Sequence, residues 1–165
     1  MKKSSRKKSP SSRKVELRRV IRIRRERNLR RTVSTAAVRR AVRRTLEAEA
    51  CRKNCSVSVL LAGDETVTSL NASFRGIPRP TDVLSFSANI MDPETELVHL
   101  GDIVISLPRA ARQAAVRRAT LENEVLLLAV HGTLHLLGHD HAKTAEKQRM
   151  GRAQKRILKE LTRTA

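Results

Sequence analysis

Four histidines fall within eleven residues, in the run His131-Gly132-Thr133-Leu134-His135-Leu136-Leu137-Gly138-His139-Asp140-His141. Residues four apart on a helix share a face, so His131 and His135 can hold one ion between them. Gly138 stands where such a helix would stop, because glycine adopts the left-handed conformation that reverses the chain. The turn brings His141 back as a third ligand. Three neutral imidazoles with one open coordination position make a catalytic zinc site, with one ion per chain. His139 is left at the rim, and Asp140 either orients a ligand imidazole or caps the turn before the next helix.

His131, His135, Gly138 and His141 also fit the H-E-x-x-H-x-x-G-x-x-H spacing of metzincin proteases, except that Gly132 replaces the glutamate. That glutamate is the general base of the peptidase, and glycine cannot serve as one. The spacing therefore supports metal binding more than peptide hydrolysis.

The elements that must carry this run are legible from periodicity. Residues 120–137 are apolar on nearly all sides, which predicts a central buried helix bearing the metal site. Residues 15–24 alternate, with Val15, Leu17, Ile21 and Ile23 opposite Glu16, Arg18, Arg22 and Arg24, and read as a strand. Ser34 or Thr35 caps a helix whose buried stripe is Val38, Ala41, Val42 and Leu46. Its other face holds Arg39, Arg40, Arg43 and Arg44 without evident acidic partners. That face is either solvated or an RNA contact. Strands are expected over 55–62, 82–87 and 100–107, the last stopped by Pro108. Asp64 caps a short helix to Ser73, residues 75–81 form a loop, and residues 88–98 a loop or hairpin excursion. Helices over 109–118 and from about Thr144 to Leu161 complete the pattern. The prediction is one α+β domain over 15–165, a small mixed sheet of about four strands packed by about five helices.

Charge is uneven. Residues 1–44 hold 19 of the 35 Lys/Arg and only two of the 16 Asp/Glu, and the net charge is +19. Such a field attracts polyanions. Residues 1–14 carry seven Lys/Arg and nothing large to bury beyond Met1, and read as a disordered basic arm. No run approaches the roughly 18 apolar residues of a membrane span, and no secretory signal is present, so a cytoplasmic protein without a membrane partner is expected. Cys51 and Cys55 read as reduced thiols at a helix end and a strand start. Phe74 and Phe86 are the only aromatic rings of the Phe, Tyr and Trp type. RNA binding would then rest on phosphate contacts and groove shape rather than on base stacking.

Three ordered blocks make the chain resemble the YbeY family of endoribonucleases. The first is Leu70-Asn71 through Phe74-Arg75, followed by Pro80-Thr81-Asp82-Val83-Leu84-Ser85-Phe86. The second is Leu100-Gly101-Asp102-Ile103-Val104-Ile105-Ser106, and the third is the histidine run followed by Met150. The resemblance implies zinc held by His131, His135 and His141, and catalytic roles for His131 and Arg75, the arginine binding RNA phosphate. It further implies cleavage of single-stranded rRNA in 16S rRNA 3′-end maturation and ribosome quality control, with the ribosome or its small subunit as partner. His139 stands where the family usually has Tyr, and residues 1–14 lie outside the family pattern. The rivals are a metallopeptidase and a non-catalytic ribosome assembly factor with structural zinc.

Overall fold

The computed structural model describes residues 17–30, 32–139 and 144–163. The expected arm at 1–14, the start of the first strand at Val15 and Glu16, and both Asp140 and His141 lie outside the described residues.

The order of elements is β1 (Arg19–Arg25), α1 (Thr35–Ala48), β2 (Cys55–Ala62), α2 (Asp64–Arg75), β3 (Val83–Asp92), β4 (Leu97–Ser106), α3 (Leu107–Arg117), α4 (Leu121–Leu136) and α5 (Thr144–Arg163). The four strands form one sheet in the order β1-β2-β4-β3. β1, β2 and β4 run parallel and β3 is antiparallel to β4. The fold is the α+β domain with a mixed sheet that the hydrophobic pattern predicts.

Alternation along the strands decides what lies on each face. Val57, Val59, Leu61, Ile103 and Ile105 point to one face, where they pack with Val38, Val42 and Leu46 of α1 and Val125, Leu128 and Ala129 of α4. Leu84, Val104 and Ala62 point to the other and pack with Val67 of α2. α4 is thus held between the sheet and α5, whose Met150, Ala153 and Ile157 meet Val130 and Leu134. Its start is fixed twice. The Thr120 hydroxyl accepts from the Asn123 N–H, which satisfies a donor the helix leaves open. The buried Glu124 carboxylate takes the Arg117 guanidinium at 2.8 Å, tying the end of α3 to α4.

Several boundaries differ from the sequence reading. β1 begins at Arg19, so the strand is shorter than 15–24. Gly63, not Asp64, is the cap of α2, and Asp64 instead bonds Arg112 at 2.6 Å. Of the two alternatives expected for residues 88–98, the hairpin is the one formed, with β3 running on past Ser87 to Asp92 and β4 starting at Leu97. Pro108 stops nothing by itself. It lies in the first turn of α3, where its missing N–H costs no hydrogen bond. Asp82, at the mouth of β3, is two-sided. Burial alone would raise its carboxyl, but hydrogen bonds from Gln113, the Val83 N–H and Thr81 outweigh that and hold it below the ordinary aspartate value.

Candidate active site

His131 and His135 share one face of α4, as their spacing demands. Their rings stand nearly perpendicular, at 76°, with centroids 4.7 Å apart. The two Nε2 atoms are 3.1 Å apart. Two nitrogens each 2.0–2.1 Å from one tetrahedral ion would lie about 3.3 Å apart. The pair is therefore spaced and aimed as two ligands of one zinc ion would be. Among the described residues no group of three His, Cys, Asp or Glu side chains is placed to hold a metal, and His141, the third ligand expected from sequence, lies outside them.

The other nitrogen of His131 is fixed as well. Nδ1 lies 3.0 Å from Oε1 of Gln154 on α5. With the amide oxygen facing the ring, this contact is a hydrogen bond in the tautomer that has its proton on Nδ1 and its lone pair on Nε2.

Gly132 lets α4 sit tightly on the sheet between the two histidines. A Cβ there would lie 2.8 Å from Ile103 Cγ2 and 3.0 Å from Ser85 Oγ. No side chain fits, so the site has no room for the metzincin glutamate. The helix ends at Leu137, and Gly138 takes a φ of 88°, the left-handed turn expected from sequence. His139 does not line the space around the pair. Its Nε2 lies 2.8 Å from Glu49 Oε2 at the end of α1, and Arg156 binds the same carboxylate at 2.6 Å.

Two clefts open beside the pair. One, of about 370 Å³, is lined by His135, Gly138, Cys51, Arg52, Lys53, Ser87 and Asn89. The other, of about 390 Å³, is lined by His131, Lys147, Met150, Gly151 and Gln154. Arg52, Lys53 and Lys147 place positive charge at both. The sequence reading singled out none of these three, nor Gln154. Their spacing carries no signal, because only the fold brings them to the histidines. Cys51 and Cys55 are free thiols. Burial, with Cys51 beside it, pushes the Cys55 thiol up to about 12, so it stays protonated.

Arg75 is not on a loop. It is the last residue of α2, and Gly76 behind it takes a φ of 68° and closes the helix. Arg75 is exposed, next to Phe74, whose ring meets Phe86 at 4.8 Å. Because α2 covers the face of the sheet opposite α4, the described residues give Arg75 no hydrogen bond to the histidines.

The four arginines of α1 are also partly committed. Arg44 pairs with Glu160 at 2.9 Å and Glu47 at 3.5 Å, which overturns the expectation of a face without acidic partners. Arg39 and Arg43 donate to the carbonyls of Ile21 and Arg19 on β1. Arg40 is exposed.

Residues 21–162 match the family model described as Endoribonuclease YbeY. The chain belongs to the YbeY family. Proteins named endoribonuclease YbeY from Desulforamulus reducens and Pelotomaculum thermopropionicum are 43% and 41% identical to it, over 75% and 79% of this chain and 84% and 88% of theirs. One from Thermus thermophilus is 49% identical over 62% of this chain and 73% of its own. The solution structure of TM1509 from Thermotoga maritima superposes with a TM-score of 0.59 at 28% identity, covering 86% of this chain and 89% of that one. YbeY proteins are endoribonucleases, so this chain is a nuclease acting on RNA. Membership and the closed packing at Gly132 together remove the support for a metallopeptidase. No helix among the described residues is long and apolar enough to cross a membrane.

Proposed function

We propose that this YbeY protein is a zinc-dependent endoribonuclease that cuts single-stranded rRNA during 16S rRNA 3′-end maturation and ribosome quality control, in the cytoplasm and on the small ribosomal subunit. The observation that carries this is the His131–His135 pair, with Nε2 atoms 3.1 Å apart and basic clefts on both sides. His131, His135 and His141 would hold the ion, and Asp140 is placed in sequence to support His141. Zinc would supply a Lewis acid and a water of lowered pKa at neutral pH.

The protein's own groups do the rest. Arg52, Lys53 and Lys147 draw the phosphate backbone into the clefts. Arg75 offers two parallel donors to a phosphoryl group. It starts from the opposite face of the sheet, so an RNA strand touching both Arg75 and the histidines crosses the edge of β3. On α1, Arg40 is exposed and can take phosphate. Arg39, Arg43 and Arg44 would first have to give up the contacts they make.

The test is cleavage of a single-stranded rRNA fragment by nuclease-free protein, compared with Arg75→Ala. The variant should lose on the order of 10²-fold or more in rate, as when one donor to developing charge is removed. It should keep its zinc, and its stability within about 0.5 kcal/mol, because the side chain is exposed. Normal cleavage by the variant would make Arg75 an ordinary surface residue. Wild-type protein that binds ribosomal subunits but cuts no RNA would replace this reading with a non-catalytic assembly role.

A further inference from the structure

We infer that Gln154 is the positioning residue of the histidine site, its carboxamide oxygen locking the ring of His131 so that Nε2 faces the point it shares with His135. The inference rests on the zinc reading proposed above. Two distances carry it: 3.0 Å from Gln154 Oε1 to His131 Nδ1, and 3.1 Å between the two Nε2 atoms.

A free imidazole can carry its proton on either nitrogen and can rotate about χ2. Only one tautomer in one orientation presents a lone pair to an ion held with His135. With its oxygen turned to the ring at 3.0 Å, Gln154 accepts from Nδ1–H and so favours that state. It is well placed to do so. On α5 it lies four residues after Met150 and three before Ile157, both buried against α4. The packing of those two side chains sets the distance between the helices and leaves Gln154 beside the cleft at His131. A carboxylate or carbonyl on the second nitrogen of a ligand histidine also raises its basicity.

The experiment uses the full chain and three forms, wild type, Gln154→Met and Gln154→Glu. Methionine keeps the length and removes the acceptor, and glutamate keeps the acceptor. Zinc affinity is read by competition with a chromogenic chelator. The His131 tautomer is read from long-range ¹H–¹⁵N spectra of metal-free protein, and melting is followed by circular dichroism. Gln154→Met should weaken zinc binding 10- to 100-fold, the usual effect of losing such a partner. It should also lose the fixed Nδ1–H tautomer in the metal-free spectra, with little change in melting. Gln154→Glu should keep both within a few-fold of wild type. Unchanged affinity and tautomer in Gln154→Met would overturn the assignment, as would a glutamate variant no better than the methionine one. Wild-type protein that binds no zinc would sink the zinc reading and this role with it. A fixed tautomer lost only in Gln154→Met would then show that the hydrogen bond itself is real.

Discussion

His135→Ala is expected to leave the purified protein with almost no zinc, where the wild type carries about one ion per chain, and to reduce RNA cleavage to background. The reason is the ligand count. The ion is proposed to have three protein ligands, and His135 supplies one of the two whose nitrogens are already 3.1 Å apart. Two remaining imidazoles hold zinc poorly against water and cellular chelators. The fold itself should survive, because the sheet and the core around Val125, Leu128 and Ala129 do not depend on this side chain. Metal-free wild type and the variant should therefore melt alike. Added zinc should raise only the wild-type melting temperature, by mass action on the folded state. Metal analysis and melting with and without zinc check this, and stoichiometric zinc in the variant would end the three-histidine model.

The second large effect is structural. Gly132→Glu, which would restore the metzincin motif, is expected to yield a badly destabilised protein with no peptidase activity. Even alanine meets Ile103 at 2.8 Å and Ser85 at 3.0 Å. Two terms oppose each other. Replacing glycine by alanine inside a helix gains about 1 kcal/mol in propensity, while overpacking costs about 1–3 kcal/mol. The clash is against a strand side chain in the core, so overpacking should win and Gly132→Ala should be destabilised by about 1–2 kcal/mol, the net of those terms. Glutamate adds the burial of a carboxylate, and its loss should exceed about 3 kcal/mol. Urea unfolding of the alanine variant and a casein digest with the glutamate variant are sufficient. An alanine variant as stable as wild type would mean that α4 can lift off β4 at little cost.

Much of the domain was legible because its signals are local. The stripe of Val38, Ala41, Val42 and Leu46 marked α1, and Ser34 caps it as one of the two residues expected to. The apolar run of α4, the four-residue spacing of His131 and His135, and the glycine turn behind them could all be read within one stretch of chain. The misses have two causes. The glycine and two prolines of residues 75–81 suggest a loop, but Gly76 is the left-handed closure of α2, so Arg75 belongs to the helix. The remaining misses are pairings across long separations. Glu160 reaches Arg44 over 116 positions and Glu49 reaches His139 over 90. Gln154 meets His131 only because α5 packs back on α4. No period in the sequence encodes which side chains face each other across two helices.

The position of β3 at the margin of the sheet has a consequence for how the protein behaves in concentrated solution. With a neighbour on one side only among the described residues, it presents open backbone donors and acceptors to which another strand could add. Ile90 and Met91, 65% and 58% exposed, make its far end sticky. Two features guard it, the break in register between Ser87 and Ile90 and the net charge of +19. The second guard is electrostatic and acts at a distance, and it shrinks from about 30 Å at 0.01 M salt to about 3 Å at 1 M. Colloidal stability should therefore be greatest in dilute buffer, with copies associating as salt is added. Light scattering along a sodium chloride series reads this directly, and a flat trace to 1 M would show that the irregular strand suffices to keep molecules apart.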